Sequence, residues 1–172
     1  RWIFNMTMPI GEKVASMRLA GKPVPPWWNV LNGIGYLLLF RAIRNSLGLL
    51  NGRIFVSGAA PMSQELMHFY HAIGVPVREC FGMTECAGIS VIPQGKHFRA
   101  GQVGQPIPGI EMKLADDGEI MLKGESVFKG YYGNPDQSAT SFNEEGWLMT
   151  GDVGEITDEG QLKIVDRKKD LI

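Results

Sequence analysis

The sequence predicts an α/β portion followed by a β-rich, barrel-like portion. Three observations carry this reading. The first fifty or so residues have helical spacing of their apolar side chains, the middle runs strand, helix, strand, and the part after Gly109 is built of short alternating strands joined by glycine turns.

Taken in order, residues 6–19 carry apolar side chains at mixed helical spacing and are closed by Gly21 and Pro23. Pro25-Pro26 is a connector. Residues 29–47 form a second apolar-faced helix, with Arg41 and Arg44 on its wetter side and Gly48 near its end. Residues 53–57 are a nearly continuous apolar run, which suits a buried parallel strand. The turn Gly58-Ala59-Ala60-Pro61 comes next. Ser63 is placed to cap a helix whose face holds Leu66, Met67, Phe69, Tyr70 and Ile73, and Gly74 closes it. Residues 77–81 are a second candidate strand. Later, Ile110, Met112 and Leu114 alternate with Glu111 and Lys113, and Asp117-Gly118 turns the chain into residues 119–123. Residues 153–157 and 161–165 make another hairpin around Asp158-Glu159-Gly160. One short helix lies between, with Asn134 as cap, Pro135 in its first turn and Gln137 placed for a capping box. The expected limits are 1–109 for the α/β portion and 110–165 for the β-rich portion.

Bulk properties exclude several classes. A hydrophobic fraction of 44% and a charged fraction of 20% are those of a globular chain. A formal net charge of -1 gives no footprint for nucleic acid. Cys80 and Cys86 lack metal-type spacing and suit a reducing, cytoplasmic compartment. The apolar stretch over residues 30–40 is too short to span a bilayer, and the start carries no signal-peptide pattern. Trp27-Trp28 beside Pro25-Pro26 has two readings. One is an interfacial patch giving peripheral membrane association; the other, and the commoner outcome, is a buried aromatic pair.

Four segments could carry chemistry. Ser57-Gly58-Ala59-Ala60-Pro61 comes after a strand, and its small residues let a flat ring lie against the backbone; alone, a plain turn explains it as well. In Phe81-Gly82-Met83-Thr84-Glu85, Phe81 offers an aromatic face and Gly82 permits close approach. Thr84 can donate to a phosphate oxygen and Glu85 can help hold Mg2+, although both residues also suit a helix start. In Gly146-Trp147-Leu148-Met149-Thr150-Gly151-Asp152, the carboxylate between two strands could accept both hydroxyls of a ribose, or could bond its own turn. In Asp166-Arg167-Lys168-Lys169-Asp170, Arg167 could add donors to ribose or phosphate, or belong to a solvated charge run.

The four segments in this order resemble the adenylate-forming superfamily of acyl- and aryl-CoA synthetases, luciferases and peptide adenylation domains. The resemblance covers residues 53–172. Gly101-Gln102-Val103-Gly104, Val127-Phe128-Lys129-Gly130-Tyr131-Tyr132 and Asp166-Arg167-Lys168-Lys169-Asp170 look most like long-chain fatty acyl-CoA synthetases.

The resemblance implies a reaction in two steps. A carboxylate attacks the α-phosphorus of ATP to give acyl-AMP and pyrophosphate, and the thiol of coenzyme A then displaces AMP. It implies that Gly58, Ala59 and Ala60 line the adenine pocket with Gly82 nearby, and that Phe81 stacks on adenine where many relatives carry tyrosine. Thr84 and Glu85 would be catalytic, contacting the α-phosphate and Mg2+. Asp152 and Arg167 would bind the ribose. Lys169 would be the hinge within a linker at 166–172. Gly82, Met83, Ala87 and Gly88 would form a wall of an acyl tunnel. ATP, fatty acid and coenzyme A are the implied partners. The family's Ser/Thr/Gly-rich phosphate loop is expected upstream of Arg1 and its catalytic lysine beyond Ile172. The chain is therefore expected to be the later part of a large N-terminal domain, inactive alone. Alternatives are an enzyme passing acyl-AMP to a carrier protein, an aryl or amino acid adenylating enzyme, and a catalytically dead nucleotide-binding relative.

Overall fold

The computed structural model describes residues 2–95 and 99–168. They fold as two compact units. The first holds the described residues up to Glu79 and a short return segment ending at Gly101. The second holds residues 80–94 and those from Gln102 onward.

The first unit contains α1 (Trp2–Leu19), α2 (Pro26–Gly35), a π-helical turn (Tyr36–Phe40), α3 (Arg41–Ser46), β1 (Phe55–Ser57), α4 (Gln64–Ala72) and β2 (Val77–Glu79). Pro26 opens α2, where a missing N–H costs nothing. The single helix expected over 29–47 is divided by the π turn. Phe40, at the end of that turn, is buried against Gly11 and Gly35, where any Cβ would meet its ring. The core is Met8, Ala15, Phe40, Ala72, Ile73, Val75 and Val77. Ser63 caps α4 as expected, its hydroxyl accepting from Leu66 N at 3.2 Å.

Strands β1 and β2 pair in parallel, Phe55 opposite Val77. The strand–helix–strand order thus stands, but the expected burial of residues 53–57 does not. Ile54 is 78% exposed and Val56 39%. Among the described residues this sheet has two strands only, so β1 lacks the neighbours and double covering that bury a parallel strand. The Trp27–Trp28 pair is likewise in contact without being buried. The ring centroids are 4.3 Å apart, and Trp27 is 56% exposed. No helix among the described residues is long and apolar enough to cross a membrane.

The second unit contains β3 (Phe81–Met83), a 3-10 turn (Thr84–Cys86), β4 (Gly88–Ile92), β5 (Gln105–Pro106), β6 (Ile110–Leu114), β7 (Glu119–Gly124), α5 (Pro135–Thr140), β8 (Leu148–Ile156) and β9 (Leu162–Arg167). Two antiparallel sheets form, β3-β4-β5 and β6-β7-β8-β9. They share one core that includes Phe81, Cys86, Val91, Ile110, Ile120, Leu122, Leu148 and Leu162. Val103 N donates to Leu162 O at 2.8 Å, and Leu162 N donates to Gly104 O at 2.7 Å. These bonds and the shared core explain why the division between compact units falls before Phe81, whereas the character of the sequence changes near Gly109.

Three local expectations are corrected. The run over 77–81 is two strands, because β2 pairs with β1 while β3 turns antiparallel to β4. Strand β4 was not foreseen; Gly88 and Ser90 interrupt the apolar pattern that would announce it. The second hairpin extends beyond 153–157 and 161–165, taking in the Thr150-Gly151-Asp152 segment and Arg167. Asn134 does cap α5, its Oδ1 accepting from Gln137 N at 3.2 Å. Gln137 Oε1 accepts from Asn134 Nδ2 at 2.9 Å, where a capping box would use the backbone N–H.

Candidate functional site

In the first unit, Gly58, Ala59 and Ala60 form an exposed turn after β1. Ala59 has φ 68°, a left-handed conformation that strains any residue with a Cβ. Glu79, on β2, anchors the chain just beyond the turn. Its Oε1 accepts from Met62 N at 3.0 Å and its Oε2 from Gly101 N at 3.3 Å.

In the second unit, Phe81-Gly82-Met83-Thr84-Glu85 is a strand and a 3-10 turn, not a loop after a strand. Phe81 is only 5% exposed and packs in the core, so its ring offers a ligand far less face than the sequence suggests. Gly82 is demanded by the neighbouring strand: a Cβ there would run into the Gly88 carbonyl. Met83 is partly buried against the core, and Ala87 and Gly88 are exposed. Ala87 has φ 59°, which turns the chain sharply from the 3-10 segment into β4.

Thr84 is exposed and Glu85 half-buried. The Tyr131 hydroxyl donates to Glu85 Oε1 at 2.6 Å, and Phe128 N donates to the Glu85 backbone carbonyl at 2.7 Å. The hydrogen bond to Glu85 raises the Tyr131 phenol above its ordinary value, because ionising it would remove that donor. No group of three or more His, Cys, Asp or Glu side chains among the described residues could cage a metal. A single half-buried carboxylate suits Mg2+, which is held through one or two carboxylates, substrate phosphates and water.

Asp152 and Arg167 are brought together by strand register. They are directly opposite on β8 and β9, with Arg167 Nε 3.5 Å from Asp152 Oδ1. Asp152 therefore lies within a strand, at a bulge, and not between two strands as expected. On β7 one residue, Ile120, separates the paired Glu119 and Met121; on β8 three residues separate their partners Val153 and Met149. Side chains satisfy the freed backbone groups. Thr150 Oγ1 donates to Ile120 O at 2.8 Å, and Gly151 N donates to Glu119 Oε1 at 2.8 Å. Gly151 takes φ 75°, which a glycine tolerates best. The bulge takes Asp152 out of the pairing with β7 while it keeps its place opposite Arg167 on β9. Burial pushes the Asp152 carboxyl above its ordinary range, Arg167 pulls it down, and Glu119 pushes it up.

Glu119 is the residue that sequence reasoning missed here. It is 6% exposed, and its Oε2 accepts from Lys168 Nζ at 2.7 Å. Asp117 Oδ2 lies 2.6 Å from the same nitrogen. These carboxylates raise the Lys168 ammonium far above its usual value, and Lys168 lowers Asp117. A carboxylate opening a strand otherwise rich in apolar side chains was the available signal. Lys169, the expected hinge, lies outside the described residues.

The sequence matches the AMP-binding enzyme family over residues 22–132. It is 41% identical over 135 residues to the long-chain fatty-acid–CoA ligase FadD15 of Mycobacterium bovis, covering 78% of this chain and 22% of that protein. The chain thus spans less than a quarter of that relative. Among solved structures, a malonyl-CoA ligase with methylmalonyl-CoA and AMP bound superposes with TM-score 0.64 at 33% identity, covering 78% of this chain and 31% of that one. The O-succinylbenzoate coenzyme A synthetase of Bacillus subtilis, in complex with ATP and magnesium, gives TM-score 0.62 at 33% identity, covering 70% and 27%. The family match takes in the segments at 57–61 and 81–85, and the chain belongs to the AMP-binding enzyme family.

Proposed function

We propose that this chain supplies the nucleotide-facing part of a longer, AMP-forming long-chain fatty-acid–CoA ligase. The observation that carries the reading is the cross-strand pair Asp152–Arg167 on a bulge where side chains bond Ile120 O and Gly151 N. A carboxylate held this firmly beside a guanidinium is suited to a ribose, whose two hydroxyls donate to it.

Gly58, Ala59 and Ala60 would take adenine against bare backbone, and Phe81 and Gly82 are further proposed nucleotide contacts. Thr84, exposed on its turn, would donate to an α-phosphate oxygen. The fatty carboxylate would then attack the α-phosphorus as pyrophosphate leaves, and coenzyme A would take the acyl group and release AMP. Mg2+ on Glu85 and the phosphates would neutralise charge on the departing pyrophosphate. The protein's own contribution is orientation and fixed dipoles, which act without reorganising at the moment of reaction. Gly82, Met83, Ala87 and Gly88 are the proposed wall for the acyl chain, and Lys169 the proposed hinge. A reducing cytoplasm, with lipid near Trp27-Trp28, is the proposed setting. The FadD15 relative supports the fatty substrate, and the ATP- and magnesium-bearing neighbour supports the nucleotide and metal.

The test uses the complete ligase. Pyrophosphate exchange is measured with a panel of carboxylates, then with ATP and 2′-deoxyATP, and product release with and without coenzyme A. Long-chain acids should support exchange, coenzyme A should be required for turnover, and Asp152→Asn should erase the preference for ATP over its 2′-deoxy form. Exchange indifferent to the ribose hydroxyl in the unaltered enzyme would overturn the assignment of Asp152.

A further inference from the structure

We propose that Tyr131 is a positioning residue for Glu85: its phenol holds one carboxylate oxygen, Oε1, and leaves Oε2 oriented for a divalent cation carried by the nucleotide. This deepens the reading of Glu85 as a metal carboxylate and rests on it. Three observations support it.

The first concerns charge. Among the described residues the other proposed ligand carboxylate, Asp152, and the buried Glu119 each have a lysine or arginine within ion-pair distance. Glu85 has none, and its side-chain partner is the neutral phenol. A cationic partner would neutralise the carboxylate and compete with a metal. A phenol donor fixes the group and leaves its negative charge available.

The second concerns how Tyr131 is itself held. Its N–H donates to Ser138 Oγ at 2.7 Å, on α5. Its ring meets Phe128 edge-on, centroids 4.9 Å apart, and Phe128 stacks on Phe142 at 5.6 Å. The hydroxyl is therefore carried on a braced ring rather than a swinging one. The third concerns the other end of the contact. Phe128 N binds the Glu85 backbone carbonyl at 2.7 Å, so the same segment grips Glu85 by main chain and side chain together. A glutamate left free would lose its rotamer freedom only when the metal arrives. Here that ordering is complete beforehand.

The test measures binding of Mn2+ in the presence of ATP, read from the electron paramagnetic resonance signal of the free ion, in the complete ligase and in Tyr131→Phe and Glu85→Gln. Tyr131→Phe keeps the ring and removes only the hydroxyl. It should weaken Mn2+ binding about 3- to 10-fold, the equivalent of one hydrogen bond. Glu85→Gln should weaken it further. If Tyr131→Phe matches the unaltered enzyme while Glu85→Gln does not, the tether is overturned and the reading of Glu85 stands. If Glu85→Gln also binds Mn2+ normally, both fall. A second measurement needs no loss-of-hydroxyl variant: 3-fluorotyrosine placed at position 131 should show a 19F shift on adding Mg2+ and ATP. That shift should vanish when Glu85→Gln is added, and an unmoved resonance in the unaltered background overturns the proposal.

Discussion

Two carboxylates in the second unit make a useful pair. Glu85 sits on a single 3-10 turn, tethered by a phenol and without a cationic partner among the described residues. Asp152 sits on a strand bulge, opposed by Arg167 and backed by Glu119 and Lys168. One is prepared to receive positive charge and the other is already balanced. The difference teaches that a motif acid is defined by what already faces it. Glu85 is left short of positive charge, as a metal carboxylate should be. Asp152 is partly compensated, as suits an acceptor of neutral hydroxyls.

The sharpest way to break this comparison is to neutralise Glu85. Glu85→Gln in the complete ligase should lower the adenylation rate by about 10²- to 10³-fold, the scale of losing a charge-stabilising group, with the thermal midpoint nearly unchanged. Pyrophosphate exchange and calorimetry together decide it; a large fall in the midpoint with exchange preserved would make Glu85 a structural residue.

Next comes the support beneath Asp152. Glu119→Ala strips the acceptor from Gly151 N and leaves Lys168 with Asp117 alone. It should cost roughly 1 kcal/mol in urea unfolding, because a part-buried donor loses its acceptor, and should raise the KM for ATP through the displaced bulge. Asp152→Asn should act in the opposite sense on stability. Burial raises the folded carboxyl above its unfolded value, so its proton is held more tightly in the folded state and stability falls as pH rises through that window. At neutral pH the asparagine variant should therefore be more stable, by less than about 1 kcal/mol given the opposing Arg167, and should bind ATP more weakly. Below the window the stability advantage should disappear. A destabilised variant at pH 7 would show that the Arg167 pair outweighs burial.

His71 offers a control in the first unit. Burial is the main cause lowering its pKa from 6.5, and its Nε2 lies 2.9 Å from Val77 O. A histidine kept neutral in the folded state contributes stability that is present above the unfolded value and lost as pH falls through the folded one. Unfolding free energies measured from pH 7 downward should fall from about pH 6.5, and His71→Leu should flatten that slope while costing roughly 1–2 kcal/mol at pH 7. The smallest effect is at Ala59. Glycine there removes left-handed strain and adds unfolded-state freedom, so Ala59→Gly should change stability by no more than about 1 kcal/mol, detectable in the urea midpoint.

What was legible in the sequence was local. Ser63 and Asn134 announce their helices because a cap acts within three residues. The β6–β7 hairpin announces itself through Asp117-Gly118 and strict alternation. The four motif segments were legible as candidates for nucleotide chemistry. The geometry of Asp152 was not, because the bulge is held by Glu119 and Ile120, some thirty residues away. Tyr131 and Glu85 are 46 positions apart, and nothing in either neighbourhood points to the other. The two strands hidden in residues 77–81 look like one run because only their partners differ. Contacts distant in the chain were thus the blind spot, and they are what turns candidate residues into a site.

The crowding at Gly82 bears on redesign. The residue stands in the proposed acyl wall and is an obvious position at which to shorten a substrate. Yet any side chain there meets the backbone of β4 first, and the hairpin would have to open before a fatty tail could sense the change. Selectivity screens would read such variants as inactive and misattribute the loss to substrate fit. Diversity is better spent at Met83, whose flexible thioether can be exchanged without moving main chain.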